Sequence, residues 1–270
     1  MFKLRTKICL FLGLFFTLSS CDVYEKVLRS NNFDQKIVYA KKYYNQEEYE
    51  RAAPLFEEVI AYNKGSSDVS DYYYHYAYCY YGMEEYLSAS FYFKQFYTNY
   101  PQSKYAENAM FMSAYCYYKI TPISQLDQTY TQQCIDMLQN FSLTYQESDK
   151  FIKALDLMKD LRARLEKKEF DAALLYFKTE NYKAATSTLK NVLIDFPDTK
   201  NKEYILCMVV KSRYHTADKS ITSKKMERIV LAEKEYQSFV KTYPLSKFKK
   251  ELELLNIDLA KQKIKINTQL

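Results

Sequence analysis

The chain has 270 residues, a net charge of +6 from 39 Lys and Arg against 33 Asp and Glu, and only three glycines and five prolines. So little turn chemistry excludes an all-β fold and a glycine-rich nucleotide cradle, and the mild charge is no nucleic-acid signature. The 29 tyrosines and 17 phenylalanines, with no tryptophan, imply many half-buried aromatic positions between packed helices, so all-α is the expected class.

At the N-terminus, Lys3, Arg5 and Lys7 precede the apolar run Ile8 to Leu18, which is too short to span a bilayer, and Leu18-Ser19-Ser20 lead into Cys21. Residues 1–20 read as a cleavable secretory signal, and the ending Leu-Ser-Ser-Cys resembles the bacterial lipoprotein box. That resemblance implies cleavage before Cys21, a diacylglyceryl group on its sulfur and a lipid anchor in the membrane. Losing the three basic residues lowers the net charge from +6 to +3. Asp22 resembles the inner-membrane retention signal of enteric bacteria, while Asp-Val-Tyr-Glu-Lys-Val lacks the acidic run of surface-export signals, which favours the periplasmic side. Cys79, Cys116, Cys134 and Cys207 remain; none has C-x-x-C spacing, and buried thiols and a periplasmic disulfide are the two readings.

Residues 21–32 are expected to form a tether or half-helix, followed by irregular helical hairpins. In the first, Tyr39, Ala40 and Tyr43 mark one helix, Tyr49, Ala52, Phe56 and Val59 its partner, and Gly65 the cap. In the second, Tyr76, Ala77 and Tyr80 precede Tyr86, Ala89, Phe93 and Phe96, ending at Pro101; Ser103 then offers an N-cap for the next helix. These spacings resemble the tetratricopeptide repeat, a helix-turn-helix of about 34 residues.

The third hairpin has Ala114 and Tyr117, an insertion from Ile120 to Asp127, then Tyr130, Cys134, Met137 and Phe141, with Gln133 at the small-residue mark and no closing proline. Ser148 caps a helix beginning near Asp149, and a bend is expected at the charged run Glu166 to Glu169. The fourth hairpin carries Ala173, Tyr176, Tyr182, Ala185, Leu189 and Val192 up to Pro197. The fifth has Ile205, Val209 and Val210, a polar loop from Asp218 to Lys225, then Ala232, Tyr236 and Phe239 up to Pro244. A helix from Lys247 to Ile266 caps the array, apolar at Leu252, Leu255 and Leu259. The expected organisation is a tetratricopeptide superhelix of about five hairpins and a capping helix, with units 1–3 in 33–146 and the rest in 147–270.

No cofactor, metal centre or catalytic constellation is expected. His75 and His215 stand far apart with no carboxylate or cysteine at ligand spacing, and both read as structural or surface histidines. Lys249, Lys250, Lys261, Lys263 and Lys265 alternate with Glu251, Glu253 and Asp258, a solvated face.

A lipid cysteine, irregular tetratricopeptide units and the aromatic-Pro-x-Ser/Thr joints at Pro101, Pro197 and Pro244 together resemble the BamD family of outer-membrane assembly lipoproteins. The resemblance implies a non-enzymatic subunit of the β-barrel assembly machinery. Its C-terminal repeats would dock a BamA-like barrel protein and its N-terminal repeats would recognise unfolded outer-membrane proteins. Two other readings share the architecture: a tetratricopeptide scaffold in another envelope process such as peptidoglycan synthesis, and a binder of sugars or lipids.

In a tetratricopeptide array the inner groove is lined by the first helix of each hairpin. With Ala40, Ala77 and Ala114 as equivalent crossing points, the groove positions are Ile37, Lys41, Tyr44, Tyr74, Tyr78, Tyr81, Phe111, Tyr115 and Tyr118. Aromatic side chains with one cation suit a peptide segment rich in aromatic residues. The competing reading is that these tyrosines are core.

Overall fold

The computed structural model describes residues 23–66 and 68–268, and among them the regular structure is helical, with no strand. Residues 1–20, read as a signal, and the acylation site expected at Cys21 lie outside the described residues. The helices are α1 (residues 23–28), α2 (Phe33–Asn45), α3 (Tyr49–Tyr62), α4 (Val69–Gly82), α5 (Tyr86–Asn99) and α6 (Ala106–Ile120). They continue as α7 (Thr129–Thr144), α8 (Phe151–Lys178), α9 (Tyr182–Asp195), α10 (Lys202–Asp218), α11 (Thr222–Thr242) and α12 (Lys249–Thr268). From α2 to α7, and again from α9 to α12, consecutive helices pack against one another, a tetratricopeptide-like arrangement.

The chain divides into two compact units. The first ends at Pro122 and resumes over Leu126–Leu161; the second holds Ile123–Gln125 and everything from Arg162 on. The division therefore falls inside α8, later than the repeat boundary expected at 146/147. The first turns of α8 belong with the first unit because Ala154 and Leu161 are buried and Lys153 lies over the Phe111 and Tyr115 rings. Glu166 to Glu169 does not interrupt α8, which is one helix of 28 residues.

In the first unit, Ala40, Ala52, Ala77, Ala89 and Ala114 are fully buried, so small residues let the helices approach. In the third hairpin that position belongs to Cys134, whose Sγ donates to the Ala114 carbonyl at 3.3 Å, while Gln133 is exposed. The expected mark was thus one residue early, because cysteine serves where alanine stands elsewhere. Cys79, Cys116, Cys134 and Cys207 are buried thiols; burial pushes Cys79 and Cys116 up to about 12 and Cys207 up to about 11, so none is a ready nucleophile.

The joints between hairpins are built alike at four places. A helix closes with the N–H of Tyr100, Tyr145, Phe196 or Tyr243 bonded to the carbonyl of Phe96, Phe141, Val192 or Phe239, at 2.8–2.9 Å. Three residues on, Ser103, Ser148, Thr199 or Ser246 uses its hydroxyl to accept the N–H two positions ahead, at 3.0–3.3 Å. Ser103 is therefore a turn residue two positions before the cap Tyr105, not itself the N-cap. At the second of these joints, which closes the third hairpin, Gln146 replaces proline without changing this pattern. Ser148 also donates to Glu107 at 2.6 Å and Thr199 to Glu166 at 2.5 Å, tying each joint to the preceding first helix.

The turns within three hairpins repeat as well. Glu47, Glu84 and Glu180 adopt left-handed backbone with φ of 60–61°, and the next N–H reaches back to Tyr43, Tyr80 or Tyr176 at 2.9–3.0 Å. Just before the second of these turns, a Cβ on Gly82 would lie 2.2 Å from the Tyr49 ring. Gly82→Ala is expected to cost about 1–3 kcal/mol by displacing that ring. In urea melts the Gly82→Ala, Tyr49→Ala double variant should lose less than the sum of the two singles, since both act on one contact.

In the second unit, Ala173, Leu189, Val192, Ile205 and Val209 pack as one cluster, and Cys207, Val210, Tyr236, Phe239 and Leu252 as another. The loop expected from Asp218 to Lys225 shrinks to residues 219–221, because Lys225 Nζ reaches back to the Asp218 carbonyl at 3.0 Å and Arg228 donates to Ser220 Oγ at 2.6 Å, so the lysines join α11.

His215 stacks on Tyr182 with ring centroids 4.6 Å apart. Burial holds its pKa below the ordinary value of 6.5, with Lys219 and Lys211 acting the same way and Asp218 and Glu180 opposing. The fold resists charging this ring, so its contribution is present above about pH 6.5 and declines as pH falls below it. Replacing it in His215→Phe should flatten that acid limb in denaturation midpoints measured from pH 7.5 to 5.

Candidate functional site

The first helices of the three hairpins in the first unit, α2, α4 and α6, bring the predicted groove side chains into two ring ladders. α4 is so dense in tyrosine that one side cannot bury them all. Tyr72 and Tyr76 are buried with the α2–α3 core, and Tyr73 turns toward α5, where Gln95 accepts from its hydroxyl at 2.7 Å. Tyr74, Tyr78 and Tyr81 stay half-buried on another side.

The first ladder starts at Tyr44, which meets the His75 ring edge-on at 4.8 Å; His75 meets Tyr74 at 5.9 Å, Tyr74 meets Tyr78 at 4.9 Å, and Tyr78 meets Tyr81 at 6.1 Å. Tyr105, at the start of α6, stacks on Tyr74 at 4.2 Å and 11°. Asn108 donates to the hydroxyls of both Tyr74 and Tyr78, the latter at 2.7 Å. Burial drives the Tyr44 and Tyr78 phenols well above their ordinary range, so both are neutral hydrogen-bonding groups at any physiological pH.

The second ladder is Phe111, Tyr115 and Tyr118, nearly parallel at 14° and 13° with centroids 5.9 and 5.8 Å apart. Lys153 of α8 sits over Tyr115 at 4.9 Å, and Asp160 accepts from the Tyr118 hydroxyl at 3.1 Å. Phe111 is only 3% exposed and packs edge-on against Phe141, so it supports the ladder from below and does not line an open groove. Its burial follows from the third hairpin, whose partner helix brings Phe141 across it. Ile37 packs half-buried against the α2–α3 core.

Beside the first ladder opens a cleft of about 530 Å³ lined by Lys41, Asp68, Asp71, Tyr72, Lys104 and Tyr105. Asp71 is its hub: Lys41 Nζ lies 3.4 Å away, Tyr105 donates to it at 3.1 Å, and the Asp71 carbonyl lies 2.7 Å from His75 Nδ1. A mixed-charge cleft continuous with a tyrosine face can hold a peptide's aromatic side chains on the rings and its polar ends on Lys41, Lys104 and Asp71.

Sequence reasoning did not place Asp71, His75, Tyr105, Asn108, Lys153 and Asp160 in this surface. His75 was legible as a break in a run of tyrosines, whereas Lys153 and Asp160 come from α8 and carried no local signal. Among the described residues no group of three His, Cys, Asp or Glu side chains converges as a metal site would. Nor is any described helix long and apolar enough to cross a membrane.

A family model, YfiO, described as an outer membrane lipoprotein, matches residues 32–211. No curated protein matches the chain closely enough to count as a relative.

Proposed function

Because the chain belongs to the YfiO family of outer membrane lipoproteins, we propose that it is a lipid-anchored, non-enzymatic scaffold of the β-barrel assembly machinery on the periplasmic face of the outer membrane. In this reading the anchor is Cys21. The first unit captures unfolded outer-membrane proteins on the surface of Lys41, Tyr44, Tyr74, Tyr78, Tyr81, Tyr115 and Tyr118, and the C-terminal repeats dock a BamA-like barrel protein. The observation that carries it is the pair of tyrosine ladders on a lipoprotein-family helical repeat, which suits aromatic-rich segments.

Affinity capture of the tagged protein from solubilised envelopes tests this. A co-purifying barrel protein with periplasmic repeats is the expected result. Recovery of cell-wall enzymes alone would transfer the scaffold to peptidoglycan synthesis.

A further inference from the structure

The expected tether at residues 21–32 is not a free linker. Val27 is 2% exposed in the core of the first hairpin, and Tyr24 packs edge-on against Tyr43 at 5.7 Å with the Arg51 guanidinium over both rings. The Leu28 carbonyl accepts from Lys36 Nζ at 2.8 Å, and that buried ammonium also pairs with Glu58. Ser30 closes the turn, its N–H and hydroxyl both donating to the Val27 carbonyl at 3.2 and 3.0 Å. A helix as short as α1 has no stability of its own, so these contacts set its position.

They also set its direction. Tyr24 meets the end of α2 and start of α3, while Leu28 meets the start of α2, so α1 runs antiparallel to α2 and its first residue lies at the α2–α3 turn. Only Asp22 separates Cys21 from Val23, and two residues reach at most about 7 Å. We infer that the lipid anchor holds the α2–α3 turn edge of the first hairpin directly against the bilayer surface, in a fixed orientation. This rests on the lipoprotein reading above. The edge itself carries exposed Glu47, Glu50, Glu84 and Glu85, so covalent attachment, not attraction to anionic headgroups, brings it there.

The consequence is geometric. Glu50 lies at the membrane end of α3, and Lys64 lies beyond its other end, about 20 Å away along the helix. The chain has no tryptophan, so Glu50→Trp and Lys64→Trp each give a single fluorophore at an exposed position. The experiment uses the full lipidated chain in phosphatidylcholine–phosphatidylglycerol vesicles doped with nitroxide-headgroup lipid. Quenching of Glu50→Trp should exceed that of Lys64→Trp by about threefold over this separation. Adding Val27→Glu, which expels α1 from the core, should level the two signals.

Equal quenching on a protein whose N-terminal peptide carries the acyl mass overturns the fixed orientation and leaves the lipoprotein reading standing. An unacylated N-terminus, with the Cys21→Ser chain binding vesicles as the parent does, overturns the lipoprotein reading and the inference with it.

Discussion

Phe96→Ala is expected to cost about 3–5 kcal/mol, the loss typical of truncating a fully buried aromatic side chain. Phe96 has no exposed surface and its ring meets Tyr73, Tyr74 and Tyr100 at 5.5–6.2 Å. It also stands at the joint where the Tyr100 N–H closes α5 on the Phe96 carbonyl at 2.8 Å. The cavity would therefore open beneath the turn that aims α6, and neither α5 nor α6 can relax into it without moving the Tyr74–Tyr105 stack. Phe239 has the same job in the second unit, where its carbonyl accepts from Tyr243 at 2.8 Å and its ring meets Tyr243 at 5.6 Å. Phe239→Ala should cost a similar amount.

Because the chain forms two compact units, the losses should appear separately. Guanidinium titrations followed by tryptophan fluorescence, with one unit's transition marked by a tryptophan at Lys64 and, in a separate variant, the other's by a tryptophan at Lys234, would resolve them. Phe96→Ala should move the Lys64 signal alone and Phe239→Ala the Lys234 signal alone. A single shared shift would mean that the two units unfold as one.

What the residues announced and what they concealed follow from how local each signal is. Alanines at crossing points and prolines after aromatic residues act within one or two turns, so the hairpins, their order and three joints were legible. The joint at Tyr145 to Ser148 was harder to see because Gln146 stands where proline does elsewhere. Its aromatic-x-x-Ser spacing is nevertheless the part that makes the hydrogen bonds. Cys134 in place of alanine shifted a register by one, since composition alone does not separate a small thiol from its neighbours. The groove was half legible. Helical periodicity assigned Tyr74, Tyr78 and Tyr81 to one side of α4, but the burial of Phe111 under Phe141 and the arrival of Lys153 and Asp160 depend on packing between distant elements.

That distinction decides how the proposed capture surface should be probed. Tyr78 is enclosed by Phe93 at 4.9 Å, Tyr74 and the Asn108 amide, so its truncation would confound binding with stability. Tyr81 and Tyr118 stand at the half-exposed ends of the two ladders, touching Tyr86 at 5.6 Å and Tyr115 at 5.8 Å. Tyr81→Ser with Tyr118→Ser should therefore lose only about 1–2 kcal/mol of stability, well short of a buried aromatic. If both rings stack on a bound segment, they behave as aromatic hot spots worth about 2 kcal/mol or more together, and affinity for an unfolded barrel-protein peptide should fall about thirtyfold. Fluorescence anisotropy on the double variant reads that change directly. Unchanged affinity alongside that stability loss would assign these tyrosines to packing alone and move the proposed capture surface to the cleft around Asp71, where Lys41→Ala and Lys104→Ala would become the decisive pair.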